Sequence, residues 1–407
     1  MLEKVSMMKY GVLLRKRVLL LTIIFSVTFY TSYFVFSYYF PQYFIQSASG
    51  RLAAQISFNI VIAIALIGAS FFINKFSKLR VIYACSIATF VFVVLFFVLG
   101  GIFRLICISL IALFFSVAQL SFLTYFWNLT VPEERGRIAG LLGCFSIIFY
   151  IIMYVTVTQS IDVNKIAVLG VILSLTPTIG LVLKPVKDMV TDKKNERGFS
   201  FEKRTILLYL IPWALFSLIN ATLARNISFH NAQQFPTSLY ALLVILQGIG
   251  TLFGSLIGGL TADFLGRRAS LSFSLTLYGI SSAVAGIANY SLMYFVYFAN
   301  GLSWGILLAM YTFVIWGDLS NERNCAKMYA IGFTIFYLTQ GLGLLPVEQI
   351  FQIPLAVSSL GSCLLIFLSN IPIFLAPELL SSSFREKIRL RMHINATKKI
   401  KRSRNQG

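Results

Sequence analysis

The sequence predicts an all-α membrane protein with twelve spanning helices in two sets of six. Twelve apolar stretches are each long enough to cross a bilayer, which takes about 20 residues at about 1.5 Å rise each. Placed in alternation, they leave only Arg51, Arg104, Lys165 and Arg225 of the 34 Lys+Arg on one face. The other basic residues share a face with both chain ends. Basic loops stay in the cytoplasm, so both termini are expected there, in an integral cell-membrane protein. One polar stretch, Pro185 to Thr205, reads PVKDMVTDKKNERGFSFEKRT and carries too much charge to stay in lipid. It divides the chain close to its middle.

In order, the spans are expected at 18–41, 52–74, 80–100, 104–129, 138–160, 165–184, 206–225, 238–262, 269–289, 291–316, 328–348 and 352–376. The first follows a basic start (Lys9, Arg15, Lys16, Arg17). Its apolar run to Phe40 is too long for a signal-peptide core and lacks a small-residue cleavage site. Residues 1–184 then form one six-helix half, 185–205 a cytoplasmic loop, 206–378 the second half and 379–407 a basic tail. Six plus six suggests halves related by an axis along the membrane normal. An internal repeat agrees with this. Span four exits through Trp127-Asn128-Leu129-Thr130-Val131-Pro132-Glu133-Glu134-Arg135, and span ten through Trp316-Gly317-Asp318-Leu319-Ser320-Asn321-Glu322-Arg323.

Composition excludes other classes. Charged residues make up 12% of the chain against roughly 25% in soluble domains. The net charge of +20 sits in loops and tail, so nucleic acid is not the expected partner. The tail holds nine Lys and Arg from Arg385 to Arg404, which a bilayer with anionic lipid attracts at about 1 kcal/mol each. The five cysteines are scattered without C-x-x-C spacing, so neither a disulfide framework nor a metal site is expected. No cofactor is implied, there is no His-rich box or paired intramembrane acid for an enzyme, and a monomer is expected.

Between spans eight and nine stands Gly259-Leu260-Thr261-Ala262-Asp263-Phe264-Leu265-Gly266-Arg267-Arg268. Gly266 permits a tight reversal. The charge of Asp263 opposes the dipole at the end of its helix, so it needs compensation from Arg267, Arg268 or the start of another helix. This loop resembles the G-x-x-x-D-x-x-G-R-R/K signature of the major facilitator superfamily of secondary transporters. The resemblance implies that Asp263 latches the halves together when the outer gate is open, near Arg137 and Gly140 at the start of span five. Gly259, Gly266, Arg267, Arg268, Arg135 and Arg137 would share that latch, with Glu322 and Arg323 from the repeat. The first-half loop, Asn74-Lys75-Phe76-Ser77-Lys78-Leu79-Arg80, departs from the signature: Asn replaces the acid and Ser the glycine. Span five has no proline through Ser160, unlike drug/proton antiporters of the superfamily. Ala139 and Gly143, four apart, suit close helix contact.

In the resembling fold, spans one, four, seven and ten line a central cavity. That implies substrate contacts from Tyr30, Tyr33 and Ser37, from Gln119 and Tyr125, from Trp213 and Asn220, and from Asn300, Ser303, Trp304 and Tyr311. Gln55, Asn59, Gln247 and Gln340 are further candidates. An amide in hydrocarbon needs a partner, either ligand or neighbouring helix. Asn300 and Trp304, four apart on one helix face, offer a stacking surface beside a hydrogen-bonding group. No Asp, Glu, Lys, Arg or His lies near the middle of a span; Asp263, Asp318, Glu348 and Glu378 are at edges. A small neutral or amphipathic solute, sugar-like above others, is therefore the expected cargo. Arg225 and Arg104 at the outer rim keep drug-like or organic-anion efflux as an alternative. A non-transporting receptor or scaffold is the alternative of another class.

Overall fold

The computed structural model describes residues 16–159, 163–182, 203–287, 290–345 and 354–380. They form twelve helical rods, α1 to α12 in chain order, and no strand occurs among them. α1 runs Lys16–Phe34, widens through a π-helical turn at Val35–Tyr39 and continues as Phe40–Phe44. α2 is Ala48–Ser70, α3 Lys78–Val98, α4 Ile102–Leu129, α5 Pro132–Gln159 and α6 Val163–Leu175, with further turns to Val182. α7 is Lys203–Ala221, bent at Thr222 into an arm, Leu223–Gln234. α8 is Thr237–Phe264 and α9 Arg267–Ala285. α10 runs Tyr290–Ala309, a π turn Met310–Val314 and Ile315–Asp318; α11 is Cys325–Leu342 and α12 Leu355–Leu375. Nine of the rods are long and apolar enough to cross a membrane. α6, α9 and α11 are shorter or more polar.

Each expected span falls on one rod, and the ends explain themselves. α5 opens at Pro132 rather than at 138, because Pro at the first turn with Glu133 and Glu134 behind it makes a favourable helix start. An apolar-run criterion does not see such a polar first turn. α7 outlasts its apolar run for the converse reason, continuing through polar residues to Gln234. The wide turn in α1 precedes Pro41, whose ring and missing N–H spoil the regular ladder one turn back. Most of the central loop and of the basic tail, with Glu348 and His393, lies outside the described residues, as does the His230 side chain. The lipid contact expected of the tail falls there too.

In lipid, helices associate through close packing rather than water exclusion, which favours small residues. α8 and α10 show this most strongly. Gly250, Gly254 and Gly258 face Phe298, Leu302 and Ile306, while Gly301 and Gly305 face the α8 backbone at Gln247 and Thr251. A Cβ on Gly254 would run into the Leu302 backbone, 2.8 Å from its carbonyl carbon and 2.9 Å from its Cα. Gly254→Leu is expected to lower stability by about 1–3 kcal/mol or more, read as a drop in melting temperature. Gly68→Ala, with nothing within 4 Å of the added carbon, is expected to leave it unchanged. The halves meet along two seams, α5 against α8 and α2 against α11. The five cysteines are free.

Because the rods alternate in direction, the start of α1 and the end of α12 share a face. The α2–α3, α4–α5, α8–α9 and α10–α11 loops lie on this face, called the basic face below.

Candidate functional site

At the basic face, four ion pairs meet in one buried cluster. Asp263, at the end of α8, accepts hydrogen bonds from the backbone N–H of Gly136 (3.1 Å) and Arg137 (2.9 Å), in the first turn of α5. The Arg137 side chain (3.1 Å) and Arg267 (2.8 Å) complete its shell. Arg267 also pairs with Asp318 at the end of α10 (2.8 Å) and donates to the Pro132 carbonyl. Asp318 in turn contacts Arg135, which is held by Thr130. The side chains of Arg135, Arg267, Asp263 and Asp318 are all 2% exposed or less. The cluster therefore runs α8–α9–α10 in one half and α4–α5 in the other. Trp127 adds a further bridge, its indole N–H donating to the Gly317 carbonyl at 2.8 Å. Glu378, past α12, accepts from the backbone N–H groups of Arg267 (2.8 Å) and Arg268 (3.2 Å), so it caps α9. Gly266 makes the reversal at φ +112°, where a Cβ is disfavoured.

Backbone proximity makes this possible. A Cβ on Gly140 would lie 2.7 Å from the Ser255 carbonyl, and one on Gly259 only 2.8 Å from the Gly140 Cα. The contact stripe on α5 is thus Gly136, Gly140 and Gly143. Ala139 is buried on α5, but the three glycines are the positions of closest approach. Asp263 sits one turn beyond Gly259 on the same side of α8.

Away from the basic face, two chambers open between the halves. The deeper one encloses about 820 Å³ and the outer one about 1670 Å³, both counting space open to solvent. Tyr33 and Phe34 line both. The deep chamber is walled by Phe29, Phe122, Phe313, Phe333, Phe336, Trp213, Trp304 and Tyr337. Beneath it Phe126 and Phe313 meet edge-on, ring centres 5.2 Å apart. The outer chamber is lined by eight tyrosines (33, 38, 39, 150, 154, 240, 278 and 297) and five amides (Asn220, Asn231, Gln247, Asn300 and Gln340). Arg225 is the one charged residue in that lining.

A family model described as Sugar (and other) transporter matches residues 211–345, from α7 to the end of α11. A search of curated proteins finds no match. Solved structures do match. The proton:xylose symporter XylE bound to 6-bromo-6-deoxy-D-glucose aligns at TM-score 0.66 and 12% identity, over 89% of this chain and 96% of that one. A bacterial homologue of the iron transporter ferroportin, outward-facing, aligns at 0.68 and 14%, over 88% and 98%. FucP, in the outward conformation, aligns at 0.64 and 12%, over 89% and 98%. The chain has the major facilitator superfamily fold.

In this facilitator fold, ten of the fifteen residues named as candidate substrate contacts face one chamber or the other. Tyr30, Tyr33, Gln119, Trp213 and Trp304 line the deep one; Asn220, Gln247, Asn300 and Gln340 line the outer one, with Tyr33 again. Several are already partnered. The Asn220 side-chain carbonyl accepts from the Trp304 indole (3.0 Å) and from Tyr278 (3.4 Å). Gln247 donates to Asn300 (2.8 Å), Tyr337 to Gln119 (2.9 Å), and the Trp213 indole to the Gly332 carbonyl (2.7 Å). Ser37 reaches the outer chamber. Gln55, Asn59, Tyr125, Ser303 and Tyr311 line neither. Asn59 instead receives the Tyr33 hydroxyl (3.0 Å), and Tyr311 stacks on Trp213 with ring centres 4.5 Å apart.

The basic-face residues also divide. Gly259, Asp263, Gly266, Arg267, Arg135 and Arg137 belong to the junction, and Arg268 reaches carbonyls at the end of α12. Glu322 and Arg323 correct the expectation from the repeat: both are exposed and stand outside the cluster. Their physical counterpart explains this. In the α2–α3 loop Asn74 replaces the acid, and it offers only an amide N–H to the Arg323 carbonyl, at 3.3 Å. Sequence reasoning left Asp318 out of the junction, although it is the acid that two buried arginines share. It also missed Asn231 on the α7 arm, beyond the apolar run.

Proposed function

We propose that this chain is a secondary transporter that moves a small neutral, hydroxyl-rich solute of sugar type by alternating access. One observation carries the reading. The outer chamber presents five amides and eight tyrosines with a single charge, a lining that suits many directional hydrogen bonds and no net charge. The sugar-transporter family model over 211–345 supports it. The basic face is sealed and the opposite side is open, the shape of an outward-facing state if the basic face is cytoplasmic. The charge asymmetry of the loops favours that orientation and a plasma-membrane location. Transport would then require the α5–α8 seam and its ion pairs to part while the outer chamber closes around cargo.

Uptake of radiolabelled D-glucose and D-xylose into proteoliposomes tests this. Above-background, saturable uptake is expected. Each hydrogen bond lost from a buried site costs about 1–1.5 kcal/mol. Gln247→Ala or Asn300→Ala is therefore expected to cut uptake roughly tenfold. Liposomes that show no flux with any neutral sugar would remove the proposal. Arg225 favours a second reading, organic-anion transport, since its exposed guanidinium lines the outer chamber. Arg225→Gln separates the two: sugar flux is expected to survive it, anion flux to collapse.

A further inference from the structure

The two chambers differ in what they leave unsatisfied, and that difference speaks to the shape of the cargo. In the deep chamber, most polar groups are turned toward protein. The Tyr33 hydroxyl donates to Asn59, Tyr337 to Gln119, and the Trp213 and Trp304 indoles to Gly332 and Asn220. Ser26 and Ser146 pair with each other at 2.9 Å. What remains toward the cavity is chiefly aromatic carbon, with the Tyr30 and Thr312 hydroxyls and the Gln119 amide as its few polar groups. A free sugar seated there would leave most of its hydroxyls without partners, which is costly.

The outer chamber is the opposite. The Gln340 side-chain N–H₂ and the Asn231 side-chain carbonyl are buried without any hydrogen-bond partner, and both residues line it. Asn231 itself is 1% exposed, its amide N–H₂ held by Tyr297 at 3.3 Å. Gln247 spends its N–H₂ on Asn300 and keeps its carbonyl, whereas Asn300 turns its own amide to the Tyr278 hydroxyl. Unmet donors and acceptors thus cluster in the outer chamber, next to a deep apolar pocket.

We infer that the cargo is a glycoside with an apolar aglycone, its sugar ring held by the outer amides and its aglycone lodged among the deep-chamber aromatics. The inference rests on the sugar reading above and adds the second, apolar part of the molecule. Leu308, half-buried on α10 in the deep chamber, marks where the aglycone would lie.

The test compares methyl and phenyl β-glycosides of glucose, galactose and xylose for binding to the purified full chain, reconstituted in phosphatidylcholine nanodiscs free of any glycoside detergent. The phenyl member of the best-binding pair is expected to bind at least tenfold tighter than its methyl twin. Leu308→Trp, which fills the pocket, is expected to erase that ratio. Gln340→Leu is expected to weaken both members alike. Equal binding of methyl and phenyl forms would overturn the inference and leave the sugar reading standing. So would a phenyl advantage untouched by Leu308→Trp, provided the variant's melting temperature matches the parent's. If no glycoside of either kind binds, the sugar reading itself fails and the inference falls with it.

Discussion

Asp318→Asn is expected to open the basic face. The substitution keeps the shape of the side chain and removes its charge. Arg135 and Arg267 then remain in a pocket where neither is more than 1% exposed, and the one acid they share is gone. Breaking a buried pair by removing one partner typically costs about 3–5 kcal/mol, because a charge is left uncompensated. Water can reach these arginines only if α4–α5 withdraws from α8–α10. The strain is therefore expected to shift the molecule toward a form open at the basic face rather than to unfold a half. Cys325, at the start of α11 and 3% exposed, is a native reporter. In a background with only this cysteine, its labelling by a water-soluble maleimide is expected to be slow in the parent. In the variant it is expected to be at least tenfold faster. Adding Arg135→Gln removes the excess positive charge, so the double variant is expected to label more slowly than Asp318→Asn alone. Equal labelling of parent and variant would mean that the cluster does not hold the face shut.

The number of spans was legible because hydrocarbon leaves the backbone little choice: a run of apolar residues of sufficient length must be a helix. The ends were less legible. Pro132, Glu133 and Glu134 form the first turn of α5, yet they count against a span by hydropathy. Leu223–Gln234 continues α7 although its composition resembles a loop. Lone amides in otherwise apolar helices were informative for a physical reason, since lipid cannot satisfy them, and Asn220, Gln247, Asn300 and Gln340 all turn inward. Which chamber each would face, and which had already found a partner, depended on helix rotation that periodicity does not give.

Asp318 shows the other limit. Its partners Arg135 and Arg267 come from distant places in the sequence, and no spacing rule connects them. The internal repeat pointed to Glu322 and Arg323 as equals of Glu134 and Arg135. The letters match there without the acid that would bury the second arginine. The departure at Asn74 was visible in the sequence; its consequence, an exposed Arg323, required the fold.

Gly259→Val is expected to disable the seam between the halves without damage inside either half. The added Cβ would collide with the Gly136 carbonyl and lie 2.8 Å from the Gly140 Cα and 3.0 Å from its N. Every one of those atoms is backbone of the opposite half, so no side chain can rotate away. Overpacking of this kind costs about 1–3 kcal/mol, and about 1.4 kcal/mol already shifts an equilibrium tenfold. Relief comes from parting α5 and α8, which lengthens the Asp263 bonds to the Gly136 and Arg137 N–H groups one turn away. The glycine and the acid thus act together: the first lets the backbones approach, and the second exploits the approach. Gly250, Gly254 and Gly258, which seat α8 on α10, are untouched. The melting temperature is therefore expected to change little while spin labels at Glu133 and Leu265 move apart and uptake falls at least tenfold. Gly143→Ala is the milder control, since its Cβ meets chiefly the Ser255 side chain, whose hydroxyl can turn. If Gly259→Val left the label separation unchanged, close backbone approach would not be what keeps the basic face sealed.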